Sequence, residues 1–237
     1  KRQASGLAIW LWRGWQNEAT VRITESMQSN LLSWSQLWSP AWSSFTVSAL
    51  AAVLVTTAAL PLAILIVRRP SRFSQVLEKT TYTSFALPGL VVALALVFFC
   101  LNYASSLYQT LPVLLLAYLI LFLPQAMGAQ RASLLQVTPS LEEAGRSLGS
   151  RPSEVLRRIT LPLLRSGLLA GALLVFLTSM KELPAALILS PMGYTTLSTQ
   201  VWTNINEAFF ARAAAPALLL LLLSSLPLAI MTSRDSD

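Results

Sequence analysis

The sequence predicts an all-α fold, a polytopic bundle of membrane-spanning helices, and three observations lead to it. Apolar residues make up 54% of the 237-residue chain and charged residues only 11%, against about a quarter charged in an average soluble domain. The apolar residues fall in runs close to the ~20 residues that cross a bilayer as helix. The few charges gather between those runs, as expected where most of the surface faces lipid. Folded in water, the chain would bury all five of its long apolar runs and have little left to face solvent.

Those runs are Phe45 to Val67, Tyr82 to Leu101, Leu111 to Met127, Gly167 to Leu189 and Ala213 to Met231. Lys and Arg are retained on the cytoplasmic side, so the loops set the orientation. Arg68, Arg69, Arg72 and Lys79 follow the first run; Arg131, Arg146, Arg151, Arg157, Arg158 and Arg165 follow the third. Both loops are expected in the cytoplasm. Asn102 to Thr110 has no basic residue and Ser190 to Arg212 only Arg212, which places them outside, and Arg234 then lies inside. The expected organisation is a truncated first span and external interfacial segment at 1–44, a five-span domain at 45–231 with a cytoplasmic loop at 128–166, and a cytoplasmic tail at 232–237.

Leu7 to Trp12 is too short to span a bilayer and is expected to be trimmed or to continue from upstream sequence. A long polar segment follows it without a small-residue cleavage pattern, unlike a signal peptide. Trp34, Trp38 and Trp42 recur every four residues. On a helix they form one stripe, suited to the headgroup region.

Composition narrows the function classes. The net charge of +7 collects in short loops, with no basic stripe interleaved with aromatics, so no nucleic-acid partner is expected. With no histidine and the single cysteine Cys100 inside an apolar run, neither an internal disulfide nor a tightly held metal centre is expected, and no cofactor is implied. Acids inside or bordering the runs are too scattered for an enzyme site. A channel or ion-coupled secondary transporter would distribute charge through several spans, yet the first three runs hold no ionised side chain.

The connector between the third and fourth runs is long for a compact helical protein and reads as folded. Ser140 followed by Glu143 has the form of a capping box, so a helix is expected to start near Leu141. Gly149 fits the left-handed position just past a helix end, and Pro152 the first turn of a second helix. Pro162 is expected to end or kink that helix.

Glu143-Ala144-Gly145, then Gly149, then Ile159-Thr160-Leu161-Pro162 is similar to the E-A-A, G, I-x-L-P signature of binding-protein-dependent importer permeases of the ATP-binding-cassette superfamily, with glycine for the second alanine. The resemblance implies a type I importer permease fold in the bacterial inner membrane. It also implies a coupling helix that carries Glu143, Ala144, Gly145, Gly149, Ile159, Leu161 and Pro162 and docks on an ATPase subunit. The implied partners are ATP-binding-cassette ATPase subunits, a second permease half, a periplasmic substrate-binding protein and the lipid bilayer; ATP hydrolysis would reside on the ATPases. Met180-Lys181-Glu182-Leu183-Pro184 and Tyr194 through Trp202, with Ala86-Leu87-Pro88-Gly89 and Leu123-Pro124-Gln125-Ala126, further resemble the permeases of ferric-iron importers, whose second half the chain matches better than the first. Thiamine, a polyamine or an oxyanion is the alternative cargo.

Lys181 and Glu182 lie about fourteen residues past the entry of the fourth run, ~20 Å at the helical rise. Charges at that depth are expected to face a wet cavity or the bundle interior and to pair with something. One reading places Lys181, Glu182 and Pro184 on a translocation path or its gate; the other makes Lys181 and Glu182 a local packing pair.

Overall fold

The computed structural model describes residues 34–234, with side chains described from Leu37 to Ser225. The expectations for Leu7 to Trp12 and for the Trp34 ring lie outside the described residues. Every regular element in the described part is helical.

Helix α1 (Trp34–Arg68) runs 35 residues, about 52 Å at 1.5 Å per residue, longer than the ~30 Å hydrocarbon layer it would cross. It therefore begins before Phe45 and carries the tryptophans as its first turns. Trp38 and Trp42 stack at 6.3 Å between ring centroids, and both are exposed. Ala52, Val55, Ala59, Ala63 and Ile66 form its buried stripe, and the three alanines let neighbouring helices approach closely.

Helix α2 (Arg72–Thr83) starts at a reciprocal cap: Ser74 N–H donates to Ser71 Oγ at 3.1 Å and Ser71 N–H to Ser74 Oγ at 2.8 Å. A 3-10 turn at Ser84–Ala86 leads to α3 (Gly89–Tyr103), and the chain bends by 106° between the two. The run from Tyr82 to Leu101, expected as one span, is thus broken. Pro88 is the cause: it disfavours helical backbone at the residue before it, and Leu87 is extended at φ −89°, ψ 121°.

Helix α4 (Leu111–Gln136) continues past Met127, so residues 128–136, expected to open the loop, are helix. There follow α5 (Pro139–Ser147), α6 (Pro152–Leu163), α7 (Arg165–Met180), α8 (Pro184–Leu189), α9 (Leu197–Asn206) and α10 (Phe210–Arg234). The α6–α7 joint bends by 67°. The fourth run, expected as one helix from Gly167 to Leu189, is interrupted after Met180, with Lys181 to Leu183 non-helical.

Helices α1, α4 and α7 pack against one another and form the core. A Cβ on Gly171 would come 3.3 Å from Ala126 Cα and carbonyl oxygen, and one on Gly167 would run into Ser133. Glycine at both positions sets how closely α7 lies on α4. Fully buried Gln130 spends its amide on the Thr56 carbonyl of α1, Nε2 to O 2.9 Å. Among the described residues, α1 and α4 are each long and apolar enough to cross a membrane alone, and the two bent pairs raise the number to four.

Candidate functional site

The connector between α4 and α7 is a helix, a glycine turn and a second helix. The expected capping box at Ser140 is absent: α5 starts at Pro139, Thr138 holds the cap position, and it makes no side-chain cap bond. Proline in the first turn, where backbone N–H groups lack helical partners anyway, moves the start ahead of Ser140. At the other end Gly149 has φ +87°. Its N–H donates to the Arg146 carbonyl (2.9 Å) and Ser150 N–H to the Gly145 carbonyl (3.1 Å), the paired closure that needs a left-handed residue. Among the described residues nothing lies within 4 Å of a Cβ built there, so glycine is required by the backbone angle.

Helix α6 opens with Pro152 after Arg151, whose N–H donates to Glu154 Oε2 at 3.0 Å. Leu156–Thr160 is a π-turn in which Leu161 N–H reaches back to the Leu156 carbonyl. Pro162 lies just beyond; the wider turn makes room for its ring, so the helix passes the proline before it bends.

The signature residues separate into two faces. Gly145 is buried, and a Cβ on it would stand 2.6 Å from Ile159 Cδ1 and 3.4 Å from Val155 Cγ2. Gly145 and Ile159 are therefore the internal contact of the helix pair, and Leu161 is half-buried behind them. Glu143 and Ala144 are exposed, together with Leu141 at 48%, Leu148 at 87%, and Pro162. Leu141, Ala144 and Leu148 share one face at helical spacing, an exposed apolar stripe that no other described residue covers.

Glu142 was not singled out from the sequence, yet it is the buried carboxylate of the loop. Its Oε1 accepts from Arg68 Nε (3.1 Å), Arg68 Nη2 (3.0 Å) and Thr160 Oγ1 (3.1 Å). Arg146 Nη2 lies 3.8 Å from Oε2, and Arg68 Nη2 also donates to the Val137 carbonyl at 2.9 Å. The available signal was positional: on a helix that buries Gly145, the residue three before it faces inward and its neighbour Glu143 does not. A cavity of about 410 Å³ opens beside this network, lined by Arg68, Arg69, Glu142, Arg146, Val155 and Leu156 among others.

A second cluster forms where the helices break. Glu182 Oε1 accepts from Ala185 N–H at 3.3 Å, and a Cβ on Gly89 would stand 2.6 Å from the same oxygen. The carboxylate thus occupies the space that Gly89 leaves free at the start of α3, with Leu121 of α4 alongside. Leu121 is ten residues into the 26-residue α4, ~15 Å of its ~39 Å, so Glu182 lies nearer the Leu111 end of that helix than its Gln136 end. Lys181 is exposed, Glu182 and Pro184 are half-buried, and among the described residues neither Lys181 nor Glu182 makes an ion pair. Lys181 closes α7, and the turn at Leu183 and Pro184 directs Glu182 towards α8.

The segment after the break is anchored to the far end of α1. Tyr194 Oη donates to the Ser43 carbonyl (2.8 Å), Leu197 N–H to Ser44 Oγ (2.7 Å), and Ser198 Oγ to the Glu182 carbonyl (3.1 Å). Trp202 lies on α9, half exposed.

A bundle of long apolar helices, with a packed helix pair in the α4–α7 connector and a half-buried carboxylate at a helix break, is the build of a polytopic membrane protein. The chain belongs to the family of binding-protein-dependent transport system inner membrane components, whose model matches residues 56–235. It is 42% identical over 188 residues to an Fe(3+)-transport system permease protein (FbpB 2) of Haemophilus influenzae, covering 79% of this chain and 37% of that protein. A 2-aminoethylphosphonate transport system permease protein (PhnV) of Salmonella typhimurium is 27% identical over 150 residues, 63% of this chain and 57% of the relative. The chain thus spans little more than a third of the first relative and just over half of the second. The fold matches the MetNI methionine ABC transporter in inward-facing conformations with a TM-score of 0.67 at 16% identity, covering 86% of this chain and 97% of that one. An amino acid ABC transporter gives a TM-score of 0.53 at 17% identity, over 92% and 96% of the two chains.

Proposed function

We propose that the chain is the membrane path of an ATP-driven importer and that its cargo is ferric iron delivered by a periplasmic binding protein. The observation that supports the reading is the apolar stripe of Leu141, Ala144 and Leu148 beside exposed Glu143, on a helix fixed to the bundle by Gly145, Ile159 and Glu142. A helix held firmly on one face and bare on the other suits a docking element, and in the cytoplasm its partner is an ATPase subunit. With a second permease half, two ATPases and the binding protein, the chain works by alternating access: nucleotide favours the outward-open state and hydrolysis resets it. Differential affinity of nucleotide for the two states drives that cycle. The five-span division and the cytoplasmic placement of the loop belong to the same reading.

The cargo assignment draws on the 42% identity to a protein named for Fe(3+) transport. It also draws on the exposed Lys181 and the carboxylate of Glu182 at the helix break. Iron accumulation per assembled complex, measured in vesicles with competing thiamine, polyamine or oxyanion, tests it. Uptake that ferric iron competes for and the others do not is expected; competition by one of the others alone would replace the cargo.

A further inference from the structure

We propose that Arg68 is a positioning residue of the transport cycle, which passes the displacement of the docking helix α5 into α1 through its fork on Glu142. The proposal rests on the importer reading and adds the route by which motion leaves the loop.

Arg68 is the last residue of α1. Its Nε and Nη2 both reach Glu142 Oε1, at 3.1 and 3.0 Å, and Nη2 also holds the Val137 carbonyl just past α4, at 2.9 Å. The Glu142 side chain is 8% exposed and accepts a further bond from Thr160 of α6. One carboxylate thus joins α1, α5 and α6. Charge-assisted pairs of this geometry are strong, and removing one partner leaves a buried charge uncompensated, so the three elements move together or at high cost.

What α1 does with that displacement follows from its other end. It is one continuous 35-residue helix with Pro61 inside it, and at Ser43 and Ser44 it holds Tyr194 and Leu197, while Ser198 next in sequence donates to the Glu182 carbonyl. A push at Arg68 would therefore reach the segment that frames Glu182 through one continuous helix and a few hydrogen bonds. Such a chain of contacts transmits only if its breakage changes coupling.

The test uses the assembled, reconstituted transporter carrying Arg68→Gln, Glu142→Gln, both together, or Arg68→Lys. Glu78→Gln, which breaks the Arg131–Glu78 pair (3.1 Å) between α2 and α4, is the control. Two quantities are read: cargo moved per ATP hydrolysed, and the ATP-driven change in thiol reactivity of Ser39→Cys near the far end of α1. The proposal expects each Gln variant to keep hydrolysing ATP while cargo per ATP falls roughly 5- to 150-fold, the range of ordinary coupling energies. The double variant is no worse than either single one, Arg68→Lys recovers part of the loss, and the Ser39→Cys response disappears. A loss of assembled protein with unchanged cargo per ATP, losses that multiply in the double variant, or an intact Ser39→Cys response would each overturn it. If ATP changes nothing at Ser39→Cys in the otherwise unaltered transporter, and Leu148→Asp leaves coupling intact, the importer reading falls and the proposal with it.

Discussion

Gly145 and Ile159 meet across the loop: a Cβ on the glycine would stand 2.6 Å from Ile159 Cδ1, so the middle of α5 rests directly on α6. The atom it would meet is the far end of a side chain that can rotate away. Gly145→Ala is therefore expected to be nearly neutral, whereas Gly145→Leu overpacks the contact and costs about 1–3 kcal/mol. Thermal unfolding of the purified protein separates the two; equal stability of Gly145→Leu and the parent would show that α5 and α6 do not pack as described.

Gly149 gives a different outcome for a different reason. At φ +87° a β-branched residue is strained whatever space surrounds it. Gly149→Val is expected to cost about 1–2 kcal/mol locally, to leave insertion intact and to uncouple ATP hydrolysis from transport. Uptake at the parental rate in this variant would remove the loop from the coupling account.

Much of this loop was legible because its signals are local. Proline at position 152, glycine at 149 and the I-x-L-P spacing report backbone preferences that neighbours cannot override. What was missed depends on contacts far apart in sequence. Ser140 and Glu143 have the right letters for a capping box, but Pro139 starts the helix earlier. Glu142 becomes the buried partner only because the end of α1 folds against it, 74 residues away. The membrane runs show the same limit: hydropathy sees one span from Gly167 to Leu189 and cannot register that Lys181 to Leu183 leave the helix, since apolar residues flank the break on both sides.

At the break, Glu182 and Gly89 make paired predictions. Glu182→Gln is expected to lower iron uptake with little change in the amount of assembled complex. Gly89→Ala, whose Cβ would stand 2.6 Å from Glu182 Oε1, is expected to displace the carboxylate and to act in the same direction. Uptake per assembled complex is the measurement; a fall confined to the amount of complex would make the carboxylate a packing element and take it off the path.

Orientation is open to direct chemical test at two exposed serines. A cysteine at Ser105, in the turn after α3, is expected to react with an impermeant thiol reagent from outside, and one at Ser147, closing α5, only after the membrane is breached. The reverse pattern would invert every span.

The central claim is that the bare face of α5 docks on an ATPase, and Leu148, 87% exposed beside the Gly149 turn, is its most accessible point. A cysteine placed at Leu148 in the assembled transporter, treated with a short bifunctional thiol reagent, is predicted to cross-link to the ATPase subunit with a yield that changes between nucleotide-free and ATP-bound states. A cysteine at exposed Gly193, in the turn before α9, is predicted not to. Cross-linking of the ATPase through Gly193→Cys, with none through Leu148→Cys, would contradict the account.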